Sequence, residues 1–481
     1  MSLQRQVKSS IGWTTLSMLV ITIAQMIQLI VLGRLLSPET FGLVAILMIV
    51  IGFSELFSQM GLSEAVIQED KPSNIELSTL YLLNITLGIT VFSIIICLNI
   101  TMQWLKLFQN ITPYLPYIAV TFLISPWGQL YKALLQKKLD FKPIALAETA
   151  AVIVGVIIAI ILAYNNYAIW SLIIGYVTKC ILQTVLLIIS GNDLLSFTFR
   201  VKISSIRRYL SFGINLMAGN ILNFINSRVD QILIGSLLGP QALGYYSMAF
   251  NLVFQPINKI NPILTQVAFP VLTRFREKPE KLKHGYLKML NLIATINAPL
   301  LFGVSAVAPL LIPIIIGEQW IPAIPIIQIL AIYAFIRSLG NSGGSLALAC
   351  GRADILLRWN CLLTLIGPVT IVISASFYAL EGVALTLVGL QIILYFMWYH
   401  IVVKKLVNKC LFEYISAPAV AIISSFMMVM CINLASSWLV EYSPWQQLVF
   451  KITLGIVVYI LINITIRRDE LLALLSIKEM K

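Results

Sequence analysis

The stretch "LGRLLSPETFG", Leu32 to Gly42, closes one long apolar run and opens another, and "IGSLLGPQALG", Ile234 to Gly244, does nearly the same. Gly33, Leu35, Leu36, Pro38 and Gly42 return as Gly235, Leu237, Leu238, Pro240 and Gly244, each displaced by 202 positions. Proline donates no amide hydrogen bond and glycine tolerates unusual dihedrals, so the pair stops one helix and turns the chain into the next. The apolar runs on either side of each turn are long enough to span a bilayer, which makes each stretch the tip of a transmembrane hairpin.

Composition agrees with that reading along the whole chain. Of 481 residues, 59% are hydrophobic and 11% charged, and the mean hydropathy is +0.92. Those values exclude an ordinary soluble domain. Strand-like alternation is absent, which argues against a barrel. Fourteen helical spans are predicted, near residues 11–32, 43–62, 78–102, 114–136, 143–164, 168–189, 209–234, 245–272, 286–316, 322–350, 356–378, 383–405, 415–437 and 445–466. The first apolar run is long and no small-residue cleavage site follows it, so it reads as a retained span rather than a signal peptide.

The net charge of +13 would suggest nucleic acid in a soluble protein. Here its placement points to membrane topology instead. Basic residues gather at both termini (Arg5, Lys8, Arg467, Arg468) and in even-numbered connections, for example Lys132, Lys137, Lys138 and Lys142, or Arg274, Arg276 and Lys278. The positive-inside rule then places both termini in the cytoplasm and favours an even span count. The six cysteines form no CxxC pair and read as small buried hydrophobes. Two distant histidines, His284 and His400, argue against a metal or histidine-based catalytic centre. No GxxxxGK[ST] phosphate loop is present, so no ATPase and no cofactor is expected.

Six predicted spans separate the two hairpins, so the halves read as parallel repeats. A second echo pairs "QKKLDF", Gln136 to Phe141, with "CGRADI", Cys350 to Ile355, at an offset of 214. The expected fold is therefore an all-α polytopic membrane protein. Residues 1–202 and 203–407 would form two six-helix lobes, and 408–481 two further helices and a cytoplasmic tail. Two such lobes can rock about a central cavity.

Charges at mid-membrane cost at least about 2.5–3.5 kcal/mol, so they mark a cavity or a partner. In "GINLMAGNILNFINSRVDQILIG", Asn220, Asn223 and Asn226 fall on one helix face, followed by Arg228 and Asp230. At the hairpin offset the first span carries Gln25 and Gln28. Lys179, Lys259, Arg337 and Asn341 add further polar positions, with Arg34 at the outer end of the first span. These residues other than Asp230, eleven in all, are the candidate cargo-binding set. Basic groups suit phosphate oxygens, and amides suit sugar hydroxyls. Glu55, Glu148 and Asp230 are the candidate proton or cation carriers. A structural role for any one of them, as an ion-pair partner or interhelical link, stays open.

The hairpin, "GLSEAVIQ" (Gly61 to Gln68), "LLQKKLDF" (Leu134 to Phe141) and "VDQILIGSLLGPQALGYYSMA" (Val229 to Ala249) together carry a resemblance. The chain resembles the polysaccharide exporters of the multidrug/oligosaccharidyl-lipid/polysaccharide flippase superfamily, in particular the O-antigen and capsule flippases and the teichuronic or colanic acid exporters. That resemblance implies export of an undecaprenyl-diphosphate-linked oligosaccharide across a bacterial cytoplasmic membrane. It implies alternating access through a cationic cavity, with lipid tails left in the bilayer beside the two extra helices. Membrane lipids, a polysaccharide polymerase and a chain-length regulator are the implied partners, and no nucleic acid. By motif position Arg34 and Asp230 are the residues carried over most directly. A drug or metabolite antiporter of the same superfamily is the rival reading, because fold alone does not assign cargo. An enzyme would need a long outer loop, and none is present.

Overall fold

A computed structural model describes residues 3–59, 62–68, 72–106, 109–198, 202, 206–439 and 441–466. Arg467 and Arg468, named above as basic flanks, lie outside those residues, as do the side chains of Arg5, Lys8 and Asn341. The described residues are helical throughout, with no strand among them. In chain order the helices are α1 (Leu3–Leu35), α2 (Pro38–Gln59), α3 (Leu62–Gln68), α4 (Asn74–Trp104), α5 (Leu115–Ala119) and α6 (Thr121–Lys137). They continue as α7 (Phe141–Tyr164), α8 (Ala168–Gly191), α9 (Arg207–Arg274), α10 (Pro279–Leu311), α11 (Ile324–Ala349) and α12 (Ala353–Phe377). The chain ends in α13 (Leu380–Trp398), α14 (Lys404–Val407), α15 (Leu411–Ser416), α16 (Ala419–Ala435) and α17 (Pro444–Ile466).

Twelve stretches among the described residues are long and apolar enough to cross a membrane. They match twelve of the fourteen expected spans. The other two, near 209–234 and 245–272, both fall in α9, whose backbone leaves the helical region at Gly239 (φ 86°, ψ 175°). That region of dihedral space is open essentially to glycine alone. Pro240 then restarts the helix. The first hairpin uses different chemistry at the corresponding place. Ser37 caps α2, its Oγ accepting from the Thr40 amide at 3.3 Å, with Pro38 as the first helical residue.

The second echo has a backbone basis that is broader than the residue match. Leu139 and Gly351 both have positive φ. The next amides, Asp140 and Arg352, close back onto Leu135 and Ala347 oxygens at 3.0 and 2.9 Å. Both are helix ends of the Schellman kind. Asn166 and Tyr167 build the same end after α7, so this turn does not single out one pair of positions.

By contacts the chain divides into two compact units, residues 1–232 and 233–481. In the first, α7 packs on α1 and α8, and α6 on α4 and α8. Glycines permit the close crossings: a Cβ on Gly155 or Gly175 would stand 2.8 Å from the other's carbonyl oxygen. Ser17 Oγ and Thr149 Oγ1, 2.9 Å apart, tie α1 to α7. The N-terminal part of α9 lies on α2, Phe224 against Phe53 at 5.9 Å between ring centroids and over Gly52. In the second unit α10, α11, α13, α16 and α17 pack together. Trp398 is seated on Gly343, where a Cβ would collide with the indole. Tyr459 of α17 donates to the Thr295 carbonyl of α10 at 2.8 Å.

The cysteines depart from the expectation of burial. Cys410 is buried, but Cys97 and Cys361 are exposed, on helices long enough to span the bilayer. An exposed position on such a helix faces an apolar solvent, so a cysteine there meets the same demand as one in a core. Burial pushes the thiols of Cys350 and Cys410 up from their ordinary range, which leaves them poor nucleophiles.

Candidate functional site

Within the first unit the structure brings Glu55 and Lys179 together through Tyr176, which no sequence pattern singles out. Tyr176 of α8 donates its hydroxyl to Glu55 Oε1 of α2 at 3.0 Å. Lys179, one turn along α8, lies with its ammonium 5.4 Å from the Tyr176 ring centroid. It makes no hydrogen bond or ion pair among the described residues. Its charge is nonetheless felt at Glu55. A tyrosine on an apolar helix carries no periodic signal, and its partner lies 121 residues away. Only the fold shows the pairing.

Glu148 has a different setting. It pairs with Lys132 at 2.6 Å, linking α7 to α6, with side chains 28% and 29% exposed. Lys132 therefore serves within a helix and not as a loop charge. Asp230 is buried and accepts from the Gln231 amide at 2.8 Å. Arg228 donates to Gln231 Oε1 at 3.0 Å, so the three residues form a local polar knot at the end of the first unit. Asn220 and Asn223 are exposed on α9, Asn226 half-buried. Gln25 and Gln28 are half-buried on α1, and Arg34 is exposed in its last turn.

In the second unit Arg337 of α11 donates to the Tyr333 hydroxyl at 3.0 Å. Its guanidinium lies 5.6 Å from the Phe254 ring centroid and 5.8 Å from that of Tyr333. Phe254 in turn stacks on Phe250 at 4.3 Å. Arginine on aromatic faces is held in orientation by those contacts. Lys259 is half-buried on α9 and makes no hydrogen bond or ion pair among the described residues. Asn261 follows Lys259 by two residues on the same helix. The structure adds Asn297, fully buried, which donates to Asn261 Oδ1 at 2.8 Å. Asn261 Nδ2 and Asn297 Oδ1 find no hydrogen-bond partner among the described residues. Among the described residues no group of histidine, cysteine and acidic side chains could hold a metal ion.

A helical chain with twelve membrane-length stretches among its described residues defines a polytopic membrane protein. Comparison with known proteins refines that class. The family model described as "Polysaccharide biosynthesis protein" matches residues 31–325. The lipopolysaccharide biosynthesis protein WzxC of Escherichia coli K12 is 29% identical, over 95% of this chain and 89% of that one. The teichuronic acid biosynthesis protein TuaB of Bacillus subtilis 168 is 31% identical, over 75% and 74%. Among solved structures, lipid II flippase MurJ in an inward closed conformation superposes with a TM-score of 0.76 at 14% identity, covering 95% of this chain and 99% of that one. An inward-facing MATE multidrug transporter gives 0.60 at 13% identity, covering 89% and 99%. The chain belongs to the polysaccharide biosynthesis protein family, and its fold is the one seen in MurJ and the MATE transporters.

Proposed function

We propose that this protein is a flippase, moving an undecaprenyl-diphosphate-linked oligosaccharide from the cytoplasmic to the outer leaflet of a bacterial inner membrane. Transport proceeds by alternating access through a cationic cavity, with both termini in the cytoplasm. The protein makes and breaks no covalent bond. A polysaccharide polymerase and a chain-length regulator act on the product.

One observation carries the reading: Lys179, on a membrane-length helix, and Lys259, half-buried on α9, make no ion pair among the described residues. Uncompensated ammonium groups at that depth are costly, and a cargo bearing a diphosphate offsets that cost when it binds. The drug antiporter reading is weaker on the same ground, since free amines repel cationic drugs. Relatives named for lipopolysaccharide, teichuronic acid and succinoglycan biosynthesis favour a glycan cargo.

The test is complementation in a host lacking the chain. Wild type should restore surface glycan, and K259Q or R337Q should reduce it by about tenfold or more, the scale of losing one desolvated charge contact. Immunoblots should show unchanged abundance. Full export by both variants, or no restoration by wild type, contradicts the proposal.

A further inference from the structure

Lys179 is an ammonium deep in a membrane-length helix and makes no ion pair among the described residues. It lies eleven residues into α8, about 16 Å from that end at 1.5 Å per residue, or half the thickness of a bilayer core of about 30 Å. Its stem is fixed by α7, because a Cβ on Gly155 would stand 2.9 Å from Lys179 Cβ. The ammonium rests near the face of Tyr176. The Tyr176 hydroxyl meanwhile holds the Glu55 carboxylate. Tyrosine thus separates two opposite charges that attract one another but form no ion pair.

The other charged groups on the surrounding helices are engaged elsewhere or lie several turns away: Glu39 is in the first turn of α2, sixteen residues before Glu55, Asp193 is fourteen residues after Lys179, and Lys142 of α7 lies over the Trp13 ring. Glu148 of α7 pairs with Lys132 of α6. Lys137 of α6 donates to the Val66 carbonyl, and Glu76 of α4 pairs with Arg208. The short α5 carries no charge. On α9, which reaches α2 through Phe224, Arg228 and Asp230 engage Gln231. Cys180 is the remaining titratable neighbour of Glu55. Among the described residues, Glu55 is therefore the acidic group placed to change the field at Lys179.

We propose that Glu55, Tyr176 and Lys179 form a proton-operated anion site, in which Lys179 binds a phosphate group and protonation of Glu55 strengthens that hold. With Glu55 ionised, its negative charge competes with an incoming phosphate for the field of the lysine. With Glu55 protonated, that competition ends. The hydroxyl of Tyr176 keeps the carboxylate from closing onto the ammonium and occupying the site itself. Assigning the phosphate to the diphosphate of a lipid-linked glycan rests on the flippase reading. Phosphate binding itself does not.

The experiment measures inorganic diphosphate binding to the full-length protein in phosphatidylcholine nanodiscs, by calorimetry, between about pH 6 and about pH 8. In wild type, binding should tighten as pH falls, by about tenfold more than in E55Q, the size expected for one unit charge at close range in a partly screened interior. E55Q should bind tightly with only the pH dependence of diphosphate itself. K179Q should lose binding at every pH. Y176F, which leaves both charges in place, should bind with an altered pH dependence, and it guards against a folding defect in E55Q. The same pH slope in E55Q and wild type, or unchanged binding in K179Q, overturns the proposal. Repeating the titration in phosphatidylglycerol nanodiscs separates the two phosphate sources. Loss of diphosphate affinity there in wild type would assign the site to a lipid headgroup and overturn the cargo assignment. Failure of the flippase reading would appear separately, as normal outer-leaflet glycan in a host lacking the chain.

Discussion

Glu148 and Lys132 form a contact between α7 and α6 with side chains under a third exposed. Removing one member leaves the other partly buried and uncompensated, at a cost of about 1–3 kcal/mol. E148Q should therefore lower the thermal midpoint of the purified protein while export per molecule stays near wild type. The double variant K132M/E148Q should recover most of the stability. Loss of export by E148Q at unchanged stability would instead make Glu148 a coupling carboxylate. The sequence showed Glu55, Glu148 and Asp230 as equivalent intramembrane acids, because depth is all that a hydropathy pattern reports. Their separation into a tyrosine-capped carboxylate, an ion pair and a backbone-bonded aspartate comes from neighbours far away in the chain. Tyr176 and Asn297 were illegible for the same reason.

At the scale of elements, the hairpin was legible because turn chemistry is local. Pro38 and Pro240 each begin a helix, as their lack of an amide hydrogen requires. What precedes each proline was not legible: a capping serine in one case, a glycine at φ 86° in the other. Different costs follow. G239A should destabilise by about 1–3 kcal/mol through backbone strain alone, since nothing lies within 4 Å of the added Cβ. S37A should cost about 1 kcal/mol for a lost cap. Thermal unfolding in detergent measures both, and a G239A protein as stable as wild type would contradict the strain assignment. The crossing of α7 and α8 predicts a larger effect. G155V forces bulk against Gly175 and Lys179 and should lower stability by at least about 1–3 kcal/mol. Full stability with wild-type export would show that the crossing is not close-packed in the membrane.

At the scale of the whole molecule, composition alone placed the chain in a membrane, and the twelve apolar helices agree. Cargo was not encoded in that pattern. It enters through the relatives and through the charges that survive inside the helices. The account makes one central claim, that a lipid-linked glycan crosses the bilayer through this protein. The direct measurement is glycan sidedness in a host lacking the chain, read with a membrane-impermeant lectin on intact and permeabilised spheroplasts. The account predicts that lipid-linked glycan accumulates on the cytoplasmic leaflet and that plasmid-borne protein returns it to the outer one. Normal outer-leaflet glycan without the protein would contradict the claim and move the drug or metabolite antiporter into first place.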